Sequence, residues 1–153
     1  MDKHYTNEKG EWFVDPIVSN HSGLIKQTEA QYKSFLVNQN ALTTDQLLQQ
    51  LTQARKEQER QGVTINGARY GGEPENRQAL QEAIAFMDDA GLTEFPSFKD
   101  SDNVFHFNHP LADVFNAYRA IGERRVQLIS AEGQYAAQII AGTLTDLSEV
   151  TWP

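Results

Sequence analysis

Four stretches of this chain repeat their apolar residues at helical spacing, and short β-prone runs separate them. Tyr32, Phe35 and Leu36 make the first set, and Leu47, Leu48, Leu51 and Ala54 the second. Leu80, Ala83, Ile84 and Met87 make the third, and a fourth runs from Leu111 to Ile140. Residues three and four apart share a face of an α-helix, so each set predicts a helix with one buried stripe. The helix starts are signalled too. Thr28 and Thr43 each stand three residues before a glutamine, Gln31 and Gln46, the spacing of a capping box. Pro74 suits the first turn of the third helix, with Glu73 and Glu75 at its positive end.

The intervening runs predict hairpins. Gly62 stands where a helix C-cap takes a left-handed residue, and Val63-Thr64-Ile65, Asn66-Gly67 and Ala68-Arg69-Tyr70 follow it. Asn-Gly between two β-prone runs is the sequence of a type I′ turn, which needs positive φ at both central residues. Phe95 to Phe98 and Val104 to Phe107 flank the polar turn Lys99 to Asn103, a second hairpin in which Pro96 confines its strand to an edge. Near the N-terminus, turn signals at Asn7 to Gly10 and at Asp15-Pro16 bracket Trp12-Phe13-Val14, and Ser19 to Gly23 reads as loop. The expected fold class is α+β, mainly helical, with short β-hairpins and a long C-terminal helix or helical hairpin. A small β/α module is expected over residues 1–40 and a helical domain with two short hairpins over 41–153.

The fourth set sustains an apolar face beyond the needs of one small domain. Unbroken over 110–142, its helix spans roughly 48 Å at 1.5 Å per residue. Val114, Ile121, Leu128 and Tyr135 form one row at intervals of seven. Leu111, Tyr118, Arg125, Glu132 and Ile139 form its companion, with two charges in the middle. Gly122 and Gly133 are where it can split into two helices folding back on each other; a continuous rod predicts a coiled-coil seam. Tyr118, Ile121, Leu128 and Tyr135 are therefore expected to serve partner docking or homo-oligomer formation.

Charge and composition narrow the function classes. With 21 acidic against 13 basic side chains the net charge is −8, which opposes nucleic acid and anionic membrane surfaces alike. The absence of cysteine excludes disulfides, thiol nucleophiles and thiolate metal sites. The first residues lack the apolar core of a secretory signal, and no apolar run is long enough to cross a bilayer. A soluble protein kept in a cytoplasm is the expectation.

Candidate chemistry is sparse. His106, His109 and Asp113 are the best metal-like group, but strand and helix spacing does not bring them together, and the simpler reading turns His106 to solvent and makes His109 a helix cap. Asp100, Asp102 and Asn103 lack the glycine and distal glutamate of a calcium loop and read as Asx-turn residues. Gly71-Gly72 reads as a linker, Lys56 to Arg60 as helix surface, and Arg124-Arg125 as a solvated face or a partner for Glu132. No G-x-S-x-G elbow is present. No enzyme and no cofactor is expected. Trp12, Phe13 and Trp152 are weighed between core and partner contact, because tryptophan is enriched in binding hot spots.

The pattern of a charged helix, Gly62, Val63, Asn66, Gly67 and Tyr70, then a helix, an aromatic β segment, a long helix and a closing Trp152 resembles an uncharacterised domain of tailed-bacteriophage proteins. The N-terminal part, Tyr5 to Phe13 and on through Gln31 to Leu36, resembles the opening of phage tail-fibre assembly proteins. The family usually has tryptophan where this chain has Phe95 or Phe98. The resemblance implies a place beside a phage tail fibre or other tail protein, as an assembly chaperone in the host cytoplasm that leaves or stays on the fibre. The alternatives are a structural virion subunit of the tail or baseplate, and a metal-dependent enzyme or host-directed factor using His106, His109 and Asp113. It implies no catalytic residues.

Overall fold

The computed structural model describes residues 4–14 and 25–153, without the side chains of 13, 14, 25 and 38–40. The expected turn at Asp15-Pro16 and loop at Ser19 to Gly23 lie outside the described residues. The fold is α+β and mainly helical. The chain divides into two compact units, residues 1–42 and 43–153.

In the first unit, β1 (His4–Thr6) pairs antiparallel with both β2 (Trp12–Val14) and β3 (Ile25–Gln27), in the order β2-β1-β3. The turn between β1 and β2 is built on Asn7, whose side-chain oxygen accepts from the backbone N–H groups of Lys9 and Glu11. α1 (Glu29–Asn40) starts at the capping box of Thr28 and Gln31. Its Tyr32 stacks on His4 at 3.8 Å between ring centroids, and its Phe35 stacks on Trp12 at 4.8 Å.

The second unit is organised along one helix. α4 (Leu111–Ile140) runs unbroken for 30 residues, about 45 Å. Gly122 and Gly133 do not split it. α2 (Thr44–Gln61), opened by the second capping box, lies antiparallel on its C-terminal half, with Leu47 and Leu51 packed against Ile139. α3 (Pro74–Asp89) lies along its N-terminal half through Leu80 and Ile84. Between these helices β4 (Val63–Ile65) and β5 (Ala68–Tyr70) form the expected hairpin, with Asn66 at φ 47° and Gly67 at φ 82°. Val114, Ala117 and Leu128 are fully buried, and each large side chain so buried contributes roughly 1.5–3 kcal/mol. The tail beyond α4 returns over the α2–α4 seam and seats Leu144 beside Leu47, Leu51 and Ile139.

Gly62 is the C-cap of α2, as expected, its N–H donating to the Glu59 carbonyl, and with Gly72 it also marks a tight crossing of the chain. Gly62 has φ 65° and ψ −144°, outside the left-handed helical region expected of it. A Cβ there would sit 1.8 Å from the Tyr70 carbonyl oxygen, and one on Gly72 would sit 2.0 Å from that of Glu59. The end of α2 and the end of β5 touch backbone to backbone.

Candidate interaction surface

The second hairpin, β6 (Glu94–Lys99) with β7 (Phe105–Pro110), inverts the expected sides of its strand. Phe105 and Phe107 are 60% and 75% exposed, while His109 is 5% exposed and His106 half-buried. The reason lies in two interruptions of the alternation. The pairing matches Phe95 with His109 and Ser97 with Phe107, stepping over Pro96 and Asn108, and Asn108 sits at φ 51°. Phe95 and Phe98 on β6 therefore face inward three residues apart, as do His106 and His109 on β7.

The inward histidines are absorbed by a polar cluster under the sheet. Asp100, 6% exposed, organises the β6–β7 turn. Its carboxylate accepts from the backbone N–H groups of Asp102 and Val104, each at 2.9 Å, and from His106 Nε2 at 2.9 Å. The His106 bond, then these backbone donors, hold the Asp100 carboxyl down at about 2. His109 shares a hydrogen bond with the Tyr70 hydroxyl and stacks on Phe98 at 4.7 Å. Burial lowers the pKa of His109 and, with the negative charges of Asp113 and Asp100, pushes Tyr70 up to about 12. So His106 does not face solvent and His109 does not cap α4, whose first residue follows Pro110 without a side-chain cap. Asp113 accepts from Asn66 on the first hairpin. The three metal candidates each go to a different partner, and among the described residues no three acidic or imidazole groups converge on one point.

A second polar group ties the helices together. Glu59, read as surface, has its side chain 10% exposed and lies beside Arg55 at 2.5 Å, Arg125 at 3.4 Å and Arg77 at 3.7 Å. Glu132 takes Arg55 at 2.5 Å and Thr52 at 2.6 Å. The two charges in the companion row of α4 are thus matched by α2. Arg125 pairs with Glu59, not Glu132, and Arg124 donates to the Pro153 carbonyl at 2.9 Å.

The aromatic and helical candidates separate by depth. Ile121 and Leu128 are 4% and 0% exposed, spent on the protein's own core, so a partner cannot reach them. Tyr118 is half-buried against the same core. Tyr135 is half-buried and exchanges hydrogen bonds with the Thr151 backbone, while Trp152 stands edge-on to it at 6.2 Å. Trp12 is half-buried against Phe35, and the side chain of Phe13 lies outside the described residues. The row Val114, Ile121, Leu128, Tyr135 is a seam, as expected, but with α2, α3 and the tail of the same chain.

The face of β6–β7 is turned outward. Phe107 lies opposite Ser97 and Phe105 opposite Lys99, and neither cross-strand neighbour covers its ring. Among the described residues the sheet has these two strands, and neither edge pairs with a third. Sequence reasoning missed this face because strict alternation through β7 sends the phenylalanines inward. The only signals against it were Pro96 and the Asn108 that can take positive φ.

Residues 43–151 match the model of a family described as a domain of unknown function, DUF4376. The chain belongs to this family. The match begins at the N-cap of α2 and takes in both hairpins, α3, α4 and the returning tail, so the DUF4376 region is the second compact unit almost end to end. No curated protein and no solved structure matches the chain.

Proposed function

We propose that this protein is a non-enzymatic, phage tail-associated interaction protein, a tail-fibre assembly chaperone that offers the β6–β7 face to an immature fibre chain. The observation that carries the reading is the pair Phe105 and Phe107, exposed side by side on a two-stranded sheet with open edges. An unassembled fibre subunit exposes apolar surface and strand edges before it trimerises, and a strand-and-aromatic face can cover both. The resemblance of the N-terminal segment to fibre assembly proteins points the same way. The titratable groups beneath the sheet support a binding role: Tyr70 is engaged with His109, and His106 with Asp100, so these four serve the turn and the hairpin packing.

Co-expression with the neighbouring fibre gene tests it. The expected result is a higher yield of soluble fibre and co-purification of the two chains. Unchanged fibre solubility with no co-purification sinks the reading. Mass spectrometry of purified particles then separates a chaperone that leaves from a subunit that stays in the tail or baseplate.

A further inference from the structure

The chain has one Asn-Gly step, Asn66-Gly67, and it forms the tip of the first hairpin. That dipeptide carries a chemistry of its own. The backbone nitrogen after an asparagine can attack the side-chain carbonyl carbon, and a glycine there puts no side chain in the way. Asn66 and Gly67 are both exposed, and a Cβ on Gly67 would meet nothing within 4 Å, so solvent reaches the reacting atoms. Asn103 and Asn108 also sit at positive φ, but Val104 and His109 follow them and crowd the same approach.

Two features of the fold act on this step. The first is the turn. Asn66 at φ 47° and Gly67 at φ 82° form a type I′ turn, in which ψ of the first residue is also small and positive. That sets the Gly67 nitrogen nearly opposite Cβ across the Asn66 Cα–C bond. Ring closure needs the two on the same side, so the closed turn keeps nitrogen and Cγ apart. The strands resist opening, because Ala68 and Tyr70 are buried and pair with Ile65 and Val63. The second feature is the partner of the amide. Asn66 Nδ2 donates to both carboxylate oxygens of Asp113, at 3.1 and 3.0 Å, in the first turn of α4. Among the described residues no cation pairs with Asp113.

From these we propose that Asn66 is a site of self-modification by deamidation, held off by the closed hairpin, and that the product pushes the hairpin from α4. The Gly67 nitrogen gives its proton to solvent and bonds to Asn66 Cγ. The bond from Cγ to the side-chain nitrogen breaks, and ammonia leaves. Water then opens the five-membered imide at either carbonyl, giving aspartate or isoaspartate. Water is the only co-reactant. The amide that donated to Asp113 becomes a carboxylate that cannot donate and faces a second carboxylate. Isoaspartate also adds an atom to the main chain of a two-residue turn and disturbs the pairing of Ile65 with Ala68. The strain reaches further, because β5 seats the second hairpin. Ser101 N–H donates to the Arg69 carbonyl at 2.9 Å, and Tyr70 holds His109.

Mass-spectrometric peptide mapping of the full chain at mildly alkaline pH tests the first half. In denaturant, the peptide containing Asn66 is expected to gain one mass unit steadily. In the folded protein the same gain is expected to be at least about tenfold slower, since it waits on local opening. No gain in denaturant, or equal rates in the two states, would overturn the proposal. Asn66→Asp, a turn residue of equal fitness, tests the second half without waiting for the reaction. It is expected to lower the folded-to-unfolded ratio about fivefold in chemical denaturation. Made in an Asp113→Asn background, where the carboxylate meets an amide again, the same change is expected to cost less than half as much on the logarithmic scale. An Asn66→Asp chain as stable as the natural one, or an equal loss in both backgrounds, would show that the product does not act through Asp113.

Discussion

Asp100 is the residue on which the second hairpin turns, and its chemistry sets a pH dependence. Its carboxyl titrates at about 2 in the fold against an ordinary 3.8. A depressed carboxyl pKa means that the folded state binds its proton more weakly than the unfolded chain does. The stability it contributes is therefore fully present above about pH 4 and is lost as pH falls towards 2. Asp100→Asn is expected to lower the melting temperature at neutral pH and to flatten its fall between those values. An unaltered slope in thermal melts across that range would refute the assignment. His109 works in the same direction at higher pH. Its pKa lies below the ordinary 6.5, so its contribution is lost as pH falls from that value. At Gly62 the constraint is steric. A side chain there meets the Tyr70 carbonyl in a backbone conformation that only glycine adopts freely, so Gly62→Ala is expected to cost about 2–3 kcal/mol in chemical denaturation.

Among the elements, α4 is the one the others are built upon. Its inner face meets α3 and the hairpins in the first half and α2 and the tail in the second, which is why it needs 30 residues. Glu59 sits where α2, α3 and α4 come together and stands beside three arginines. Removing it leaves Arg55, Arg77 and Arg125 near one another without their common anion. Glu59→Ala is expected to destabilise by about 2–3 kcal/mol, with the loss growing at low salt. A denaturation midpoint unchanged from the natural protein at low salt would show that the cluster is a surface ornament. The charges in the companion row, Arg125 and Glu132, are thus part of this packing and not gaps in an apolar seam.

At the scale of the molecule, the outward feature that carries the proposed function is the β6–β7 face. Phe105→Ser with Phe107→Ser is expected to abolish capture of fibre chains while leaving the melting temperature within about 1 °C or raising it, because both rings are already in water. A variant that still captures fibre moves the docking site elsewhere. The chain by itself determined what depends on neighbours a few residues away. The capping boxes at Thr28 and Thr43, the Asn66-Gly67 turn, the inner stripe of α4 and the α+β class all follow from local propensity and periodicity. Only the tertiary structure decided which way β7 faces, that Glu59 is enclosed, that Gly62 and Gly72 mark a backbone crossing, and that the Val114–Leu128 row is filled by the chain's own helices. Those outcomes depend on which distant backbone and side chain occupies the adjoining space, and sequence periodicity carries a face's direction but not the identity of what covers it.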